Sequence, residues 1–449
     1  MQSFEILCGI TAVVLAIYYF LTSTFDFWKS RGVSGPRPIP GMGNFKDVLF
    51  NKKFTGDYVK EIYDTYKNEP LIGIFMTKTP ILIVKDLDLI KNILIKDFSD
   101  FADRGYPDLK KVEPLSQHLF ALEPKRWRPL RMRLSPVFTS GKLKEMFSLI
   151  SECADHLILY MEKIASKNEP VECRELMAKY MTDVIGTCAF GIEMNALSNE
   201  NSEFRKMGRK IFNPTWTNVL RLRLKQFCPQ LYEMLGYILS ETEITKFFTR
   251  VIVETMNYRE MNNVTRHDFI DILLELKKHP NKLGDDFGTY LCDRLIYIYP
   301  ANTNLMHTET LRKYPPVTFL LRQSMSSYTF DGTKVSIPKN QKVWIPIYAI
   351  QRDSDIYPKP DVFDPERFCD DAVQSRHPMT YLPFGDGPRN CIGARFGVYQ
   401  TKIGLIKALR NYKFETCEKT PIPYVNNPKT ALLSPKDGLH LKIIKINRT

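Results

Sequence analysis

The sequence predicts a mainly α-helical fold with a minor sheet, drawn into one large domain behind an N-terminal transmembrane helix. Three observations lead there. Residues 6–25 form an uncharged apolar run, stretches with helical hydrophobic spacing extend through much of the remaining chain, and β-rich runs are short and few. The chain has 449 residues with 44% hydrophobic and 25% charged side chains, enough to bury a large core and too polar for a multi-span membrane protein.

The apolar run comes first. About 20 residues suffice for a helix to cross a bilayer core, and Tyr18, Tyr19 and Trp28 suit its interfaces. Glu5 precedes the run, whereas Lys29, Arg31 and Arg37 follow it, so the positive-inside rule leaves the body in the cytosol. A cleavable secretory signal would open with basic residues and have a shorter core, and a mitochondrial presequence would be amphipathic and Arg-rich. The expected organisation is an anchor over 1–27, a Pro-rich hinge over 28–44 and one large domain over 45–449. The hinge holds Gly35-Pro36-Arg37-Pro38-Ile39-Pro40-Gly41, whose alternating prolines stiffen a short strut.

Beyond the hinge, residues 71–75 and 81–84 read as strands around a turn at Thr77-Lys78-Thr79-Pro80. Leu89, Ile90, Ile93 and Leu94 have helical spacing, helical stretches continue to about Met194 and again toward Leu276, and strand-like runs return at 333–337 and 343–347.

The balance of 63 basic against 50 acidic side chains gives a net charge of +13, spread along the chain. It fits a solvated basic surface, an anionic membrane or an acidic protein partner. Nucleic acid has no support, since neither zinc-finger spacing nor an aromatic RNA-binding signature occurs. The nine cysteines are odd in number and scattered without CxxC pairs, a reduced, cytosol-facing pattern.

One cysteine stands in a chemical neighbourhood. Residues 384–397 read Phe-Gly-Asp-Gly-Pro-Arg-Asn-Cys-Ile-Gly-Ala-Arg-Phe-Gly. Gly385 and Gly387 permit a tight loop that a flat ligand can approach, and Pro388 stiffens it. Helical spacing follows over Val398, Ile403, Leu405 and Leu409, which puts Cys391 at a helix N-terminus, where the dipole and free amides favour a thiolate. Arg389 adds positive charge suited to a carboxylate. The run resembles, at every fixed position, the haem-binding signature of the cytochrome P-450 family, Phe-x-x-Gly-x-Arg-x-Cys-x-Gly.

That resemblance implies a cytochrome P-450 fold, with haem b (iron protoporphyrin IX) held by Cys391 as the axial thiolate, catalytic centre and sole metal ligand. Phe384 then packs beside the sulfur, Arg389 meets a haem propionate, and backbone amides after the cysteine, Gly393 included, tune the thiolate. Trp127 and Arg131, four apart, match a propionate-binding helix, and Arg322 matches a further propionate-binding arginine. Glu309, Arg312 and Arg367 match a buried ion network behind the haem, and Phe319 and Leu320 would line the substrate pocket. The wording around Cys391 is most similar to microsomal insect and vertebrate xenobiotic-metabolising members.

The implied activity is monooxygenation of hydrophobic small molecules with O2. Electrons come from NADPH through NADPH–cytochrome P-450 reductase, with cytochrome b5 as a second donor, at the endoplasmic reticulum membrane. One family element is missing. The distal-helix motif (Ala/Gly)-Gly-x-(Asp/Glu)-(Thr/Ser) is not found, and only thirty residues separate Lys278 from Glu309. Residues 284–308 show no clean helical period, so Asp293, Thr303, His307 and Thr308, which could supply protons, read as loop surface. The expectation is an internal deletion around 279–308 in a working enzyme. A haem-binding but catalytically impaired protein and a haem-thiolate isomerase or dehydratase that consumes no O2 are the alternatives.

Overall fold

An uncharged apolar segment satisfies its own backbone polar groups as a helix, and residues Gln2–Thr22 form helix α1. No residue of its span Phe4–Thr22 is buried, and at ~1.5 Å per residue the span is about 28 Å long, close to the ~30 Å of a bilayer core. The computed structural model describes residues 2–199, 202–239, 242–266, 268–278 and 301–446.

The foot of α1 is fastened to the body. The Lys78 ammonium lies 3.6 Å from the centroid of the Phe20 ring, and Thr24 Oγ1 donates to the Lys78 carbonyl at 2.6 Å. Trp28 is buried, and its Nε1 donates to the Ile74 carbonyl at 3.1 Å. The Pro-rich residues after it lie against strand β1 (Leu71–Met76): a Cβ at Gly35 would sit 1.9 Å from the Gly73 carbonyl oxygen.

After helix α2 (Thr55–Thr65), β1 pairs with β2 (Thr79–Val84) as an antiparallel hairpin, with Leu71 opposite Val84. Chain order then brings helices α3 (Pro124–Leu134) and α4 (Phe147–Lys167), strand β3 (Val171–Glu172) and helix α5 (Cys173–Ile185). Helices α6 (Glu203–Phe212), α7 (Trp216–Phe227), α8 (Pro229–Leu239), α9 (Thr242–Asn262) and α10 (Phe269–Lys278) follow. Next among the described residues come helix α11 (Ala301–Lys313), strands β4 (Leu320–Gln323), β5 (Tyr328–Thr329), β6 (Ser336–Ile337) and β7 (Lys342–Ile345), and helix α12 (Ala394–Asn411). Strands β8 (Tyr412–Thr416) and β9 (His440–Lys445) complete the order.

The main sheet runs β1-β2-β7-β4, its β2–β7 pair parallel and the others antiparallel. Every residue of β1 is buried, as expected of a strand covered on both faces. Side chains alternate across β4: Leu320 joins the cluster of Leu82, Val343 and Leu382, whereas Leu321 and the preceding Phe319 join Phe45, Ile72 and Trp344 on the other face. A second core forms where α4, α5 and α12 meet around Ala154, Leu157, Tyr180 and Ile403.

Sequence spacing placed the hairpin within a residue or two and located β6 and β7, whereas β3, β4, β5, β8 and β9 fall outside the expected strand runs. It misread Thr303, His307 and Thr308 as loop. They stand on α11, where Thr308 Oγ1 donates to the Asn304 carbonyl at 2.9 Å and His307 is half-buried. Burial, then the Lys402 ammonium, push His307 down to about 4, so it is neutral at pH 7. Weak helix formers at Asn302, Thr303 and Asn304 hide the helix from pattern reading; packing against α12 overrides propensity, with Lys402 bonded to Asn304. Asp293 and the rest of 279–300 lie outside the described residues.

Close approach of α12 to α5 depends on Gly404, where a Cβ would lie 2.6 Å from the fully buried Tyr180 ring. Gly404→Val is expected to destabilise the fold by about 1–3 kcal/mol in urea unfolding. Gly141→Ala, with open space around its Cβ, is expected to be neutral or stabilising by up to about 1 kcal/mol.

Candidate cofactor site

The loop before α12 is built by glycine. Gly385 and Gly387 have φ of +70° and +72°, and a Cβ on Gly387 would lie 1.9 Å from the Leu94 carbonyl oxygen. The loop closes where the Cys391 amide donates to the Phe384 carbonyl at 2.9 Å and the Asn390 amide to the Gly387 carbonyl at 3.1 Å. Gly393 caps α12, accepting from the Gly397 amide at 2.9 Å. Cys391 therefore stands exposed just ahead of a helix N-terminus, beside the half-buried Phe384.

Four guanidiniums gather about this loop. Arg389, buried, donates to the Ala102 and Leu122 carbonyls, and its guanidinium lies 4.9 Å from the centroid of the buried Trp127 ring. Arg104, half-buried, donates to the Arg389 carbonyl at 2.9 Å and the Phe120 carbonyl at 2.8 Å. Arg131, projecting from α3, grips the loop residue Asn390 through two bonds of 2.8 Å to its backbone and side-chain oxygens. Arg322, buried on β4, donates to the Leu321 carbonyl at 2.8 Å.

Among the described residues, no carboxylate lies within ion-pairing distance of any of the four; Asp103 and Glu123 act on Arg389 only from further off. Burial, then mutual repulsion, pushes Arg322 down to about 9, and burial and Arg104 lower Arg389 to about 10. Burial brings Arg104 to about 10 and lowers Arg131, with Cys391 opposing both shifts when it is a thiolate. The Nε atoms of Arg322 and Arg389 are buried without a partner. Buried cations with unused donors are costly unless a counter-charge binds, and guanidiniums match carboxylates in geometry. The group fits a planar ligand that brings carboxylates to the arginines and a soft metal to the sulfur, as iron protoporphyrin IX does.

Behind the loop, Glu309 and Arg312, both fully buried, form a bidentate pair at 2.6 and 2.7 Å. Arg312 also donates to the Gln351 and Pro360 carbonyls, each at 2.8 Å. Arg367 Nε approaches Glu309 at 3.7 Å, so the three expected residues do meet, the third at longer range. Gln351 links the network to the cysteine loop: its amide nitrogen donates to the Leu311 and Arg312 carbonyls, and its oxygen accepts from the Leu382 amide at 2.9 Å.

The structure thus brings Trp127, Arg131, Arg322, Phe384, Arg389, Cys391 and Gly393 together. It divides the substrate-pocket pair. Leu320 turns toward the loop, 3.5 Å from where a Gly385 Cβ would be, but Phe319 stacks flat on Trp344 at 4.3 Å on the sheet's other face. Arg104 and Gln351 escaped the sequence reading, and no local spacing marks either.

Comparison with known proteins agrees. A profile of the family described as Cytochrome P450 matches residues 33–295 and 303–443. Cytochrome P450 6A1 of Musca domestica is 36% identical over 488 aligned positions, covering 96% of each chain. Cytochrome P450 6j1 of Blattella germanica is 34% identical over 484 positions, covering 97% of this chain and 96% of that one. Cytochrome P450 6a2 of Drosophila melanogaster is 34% identical over 508 positions, covering 99% and 100%. Each alignment is longer than the 449 residues of this chain, so each relative carries several dozen residues without a counterpart here. Neither a catalytically impaired haem protein nor an isomerase or dehydratase finds support in these comparisons. On the profile match and the near-complete relatives, the chain belongs to the cytochrome P450 family, the haem-dependent monooxygenases.

Proposed function

We propose a membrane-anchored monooxygenase of the endoplasmic reticulum that oxidises hydrophobic small molecules, with haem b held through Cys391. The observation that carries the site assignment is the group of four guanidiniums, two of them buried, with no carboxylate among the described residues paired to any. Arg104, Arg131, Arg322 and Arg389 would hold the two haem propionates, with Trp127 flanking Arg389. The amides from Gly393 onward would direct positive dipole toward the thiolate. Phe384 would shield one side of the sulfur, and Leu320 would present an apolar wall to the substrate. Bound through a cysteine thiolate, haem supplies oxygen activation, the sulfur's electron donation favouring O–O cleavage.

Glu309, Arg312 and Arg367 touch no reactant. They hold α11 to the segment around 360–367, and Gln351 carries that rigidity to Leu382 at the loop's entry. Helix α1, followed by Lys29, Arg31 and Arg37, supports an orientation with the body in the cytosol. There the net charge of +13 suits the acidic face of an NADPH-fed flavoprotein reductase, with cytochrome b5 as a second donor. The positions absent relative to the relatives fall, on this reading, between Lys278 and Glu309. All the residues assigned to holding the haem lie outside that stretch, so haem binding survives the shortening. The similarity to insect relatives favours a xenobiotic-type substrate.

The reduced protein with carbon monoxide should give the strongly red-shifted Soret band of a thiolate-ligated haem. Cys391→Ala should abolish that band; an unchanged spectrum would refute the ligand. Arg104→Ala is expected to weaken haem retention roughly tenfold to hundredfold, the worth of a charge-assisted hydrogen bond. Transfer of haem to apomyoglobin measures this, and Arg104→Lys should restore part of it.

A further inference from the structure

A second basic site lies away from the cysteine loop, where the anchor meets the body. A surface cavity of about 610 Å³ is lined by Ser30, Arg31, Ser327, Lys334, Ser336, Ile337 and Pro338. One wall is the turn following α1 and the other is the β5–β6 hairpin. We infer that this cavity binds a phosphate-bearing anion, supplied by the headgroup of an acidic membrane lipid.

The chemistry of the lining is that of a phosphate site: two cations and three hydroxyls, with no acidic side chain among them. Arg31 is held in place, its guanidinium stacked 3.8 Å from the Phe27 ring centroid and bonded to the Phe27 carbonyl at 2.9 Å. Among the described residues, neither Arg31 nor Lys334 is ion-paired. The nearby Asp331 is engaged elsewhere, pairing with Lys96 at 3.1 Å and accepting from Asn92 at 3.2 Å. The floor is firm, because Ile337 is buried and Ser336 is bonded to Thr329 at 2.6 Å.

Position selects the lipid as source. Helix α1 ends at Thr22, and the chain to Ser30 is coiled by backbone bonds from Phe25 to Thr22, Phe27 to Thr24 and Ser30 to Asp26. At ~1.5–2 Å per turned residue, Ser30 is at most about 12–16 Å from the helix end. That bound keeps Ser30 within about a Debye length of the outer edge of the ~5–7.5 Å headgroup layer, where an anionic surface concentrates cations and cations concentrate acidic headgroups. The source, though not the phosphate chemistry, rests on residues Phe4–Thr22 acting as an anchor.

The test uses the full chain in nanodiscs of phosphatidylcholine with a rising fraction of phosphatidic acid, followed by amide exchange over residues 327–338. Resistance to carbonate extraction from liposomes checks the anchor separately. Phosphatidic acid should slow exchange in this segment, and Arg31→Ala with Lys334→Ala should weaken the effect roughly hundredfold, tenfold for each charge-assisted bond lost. Ser327→Asp should weaken it as well by repulsion. Lys29→Ala with Arg37→Ala, which removes equal charge from exposed side chains near the anchor but outside the cavity, should leave it within about fivefold. Equal loss in that pair would reduce the effect to a diffuse field and overturn the site. Protection by soluble glycerol phosphate in pure phosphatidylcholine discs, as strong as that by phosphatidic acid, would overturn the lipid source. No protection in the unaltered chain would overturn both.

Discussion

Positive charge with no ion-pairing carboxylate among the described residues is the constraint around which the candidate cofactor site is arranged. Arg322 and Arg389 are almost fully buried, their Nε atoms lack acceptors, and burial followed by the neighbouring Arg104 guanidinium lowers the readiness of each to stay protonated. A fold tolerates this only where something else supplies the negative charge. The surrounding elements serve that arrangement: β4 carries Arg322, α3 carries Arg131 and Trp127, and the glycine loop carries Arg389 and Cys391. Because three separate parts of the chain must converge, the site reports on the whole body's folding.

The buried network behind the loop answers a different need. A thiolate ligand must be held at a fixed height, and the loop that holds it is mostly glycine, proline and turn. Rigidity is imported from α11 through Arg312 and Gln351 to Leu382. Breaking one partner of so buried a pair costs several kcal/mol by leaving a lone charge, which suits a role in shape and not in chemistry.

Much of this was legible in the sequence wherever chemistry is local. The spacing of Gly385, Gly387, Arg389 and Cys391, the three-residue step from Glu309 to Arg312 and the four-residue step from Trp127 to Arg131 carry their geometry with them. What escaped depends on contacts distant in sequence. Arg104 meets the Arg389 carbonyl 285 positions away, and Gln351 acts through Arg312 and Leu382, 39 and 31 positions off. Phe319, which the resemblance expects at the pocket beside Leu320, stacks on Trp344 on the opposite face because side chains alternate along a strand. The first turns of α11 lacked propensity and were fixed by α12. The missing motif before α11 carries the expectation of a shortening there, and each insect relative has several dozen positions without a counterpart in this chain.

The central claim is that one sulfur, from Cys391, binds the haem iron. X-ray absorption at the iron edge of the purified, haem-loaded ferric protein tests it most directly. The account predicts a single sulfur scatterer at bonding distance that disappears in Cys391→Ser. An iron shell of nitrogen and oxygen alone in the unaltered chain would contradict it.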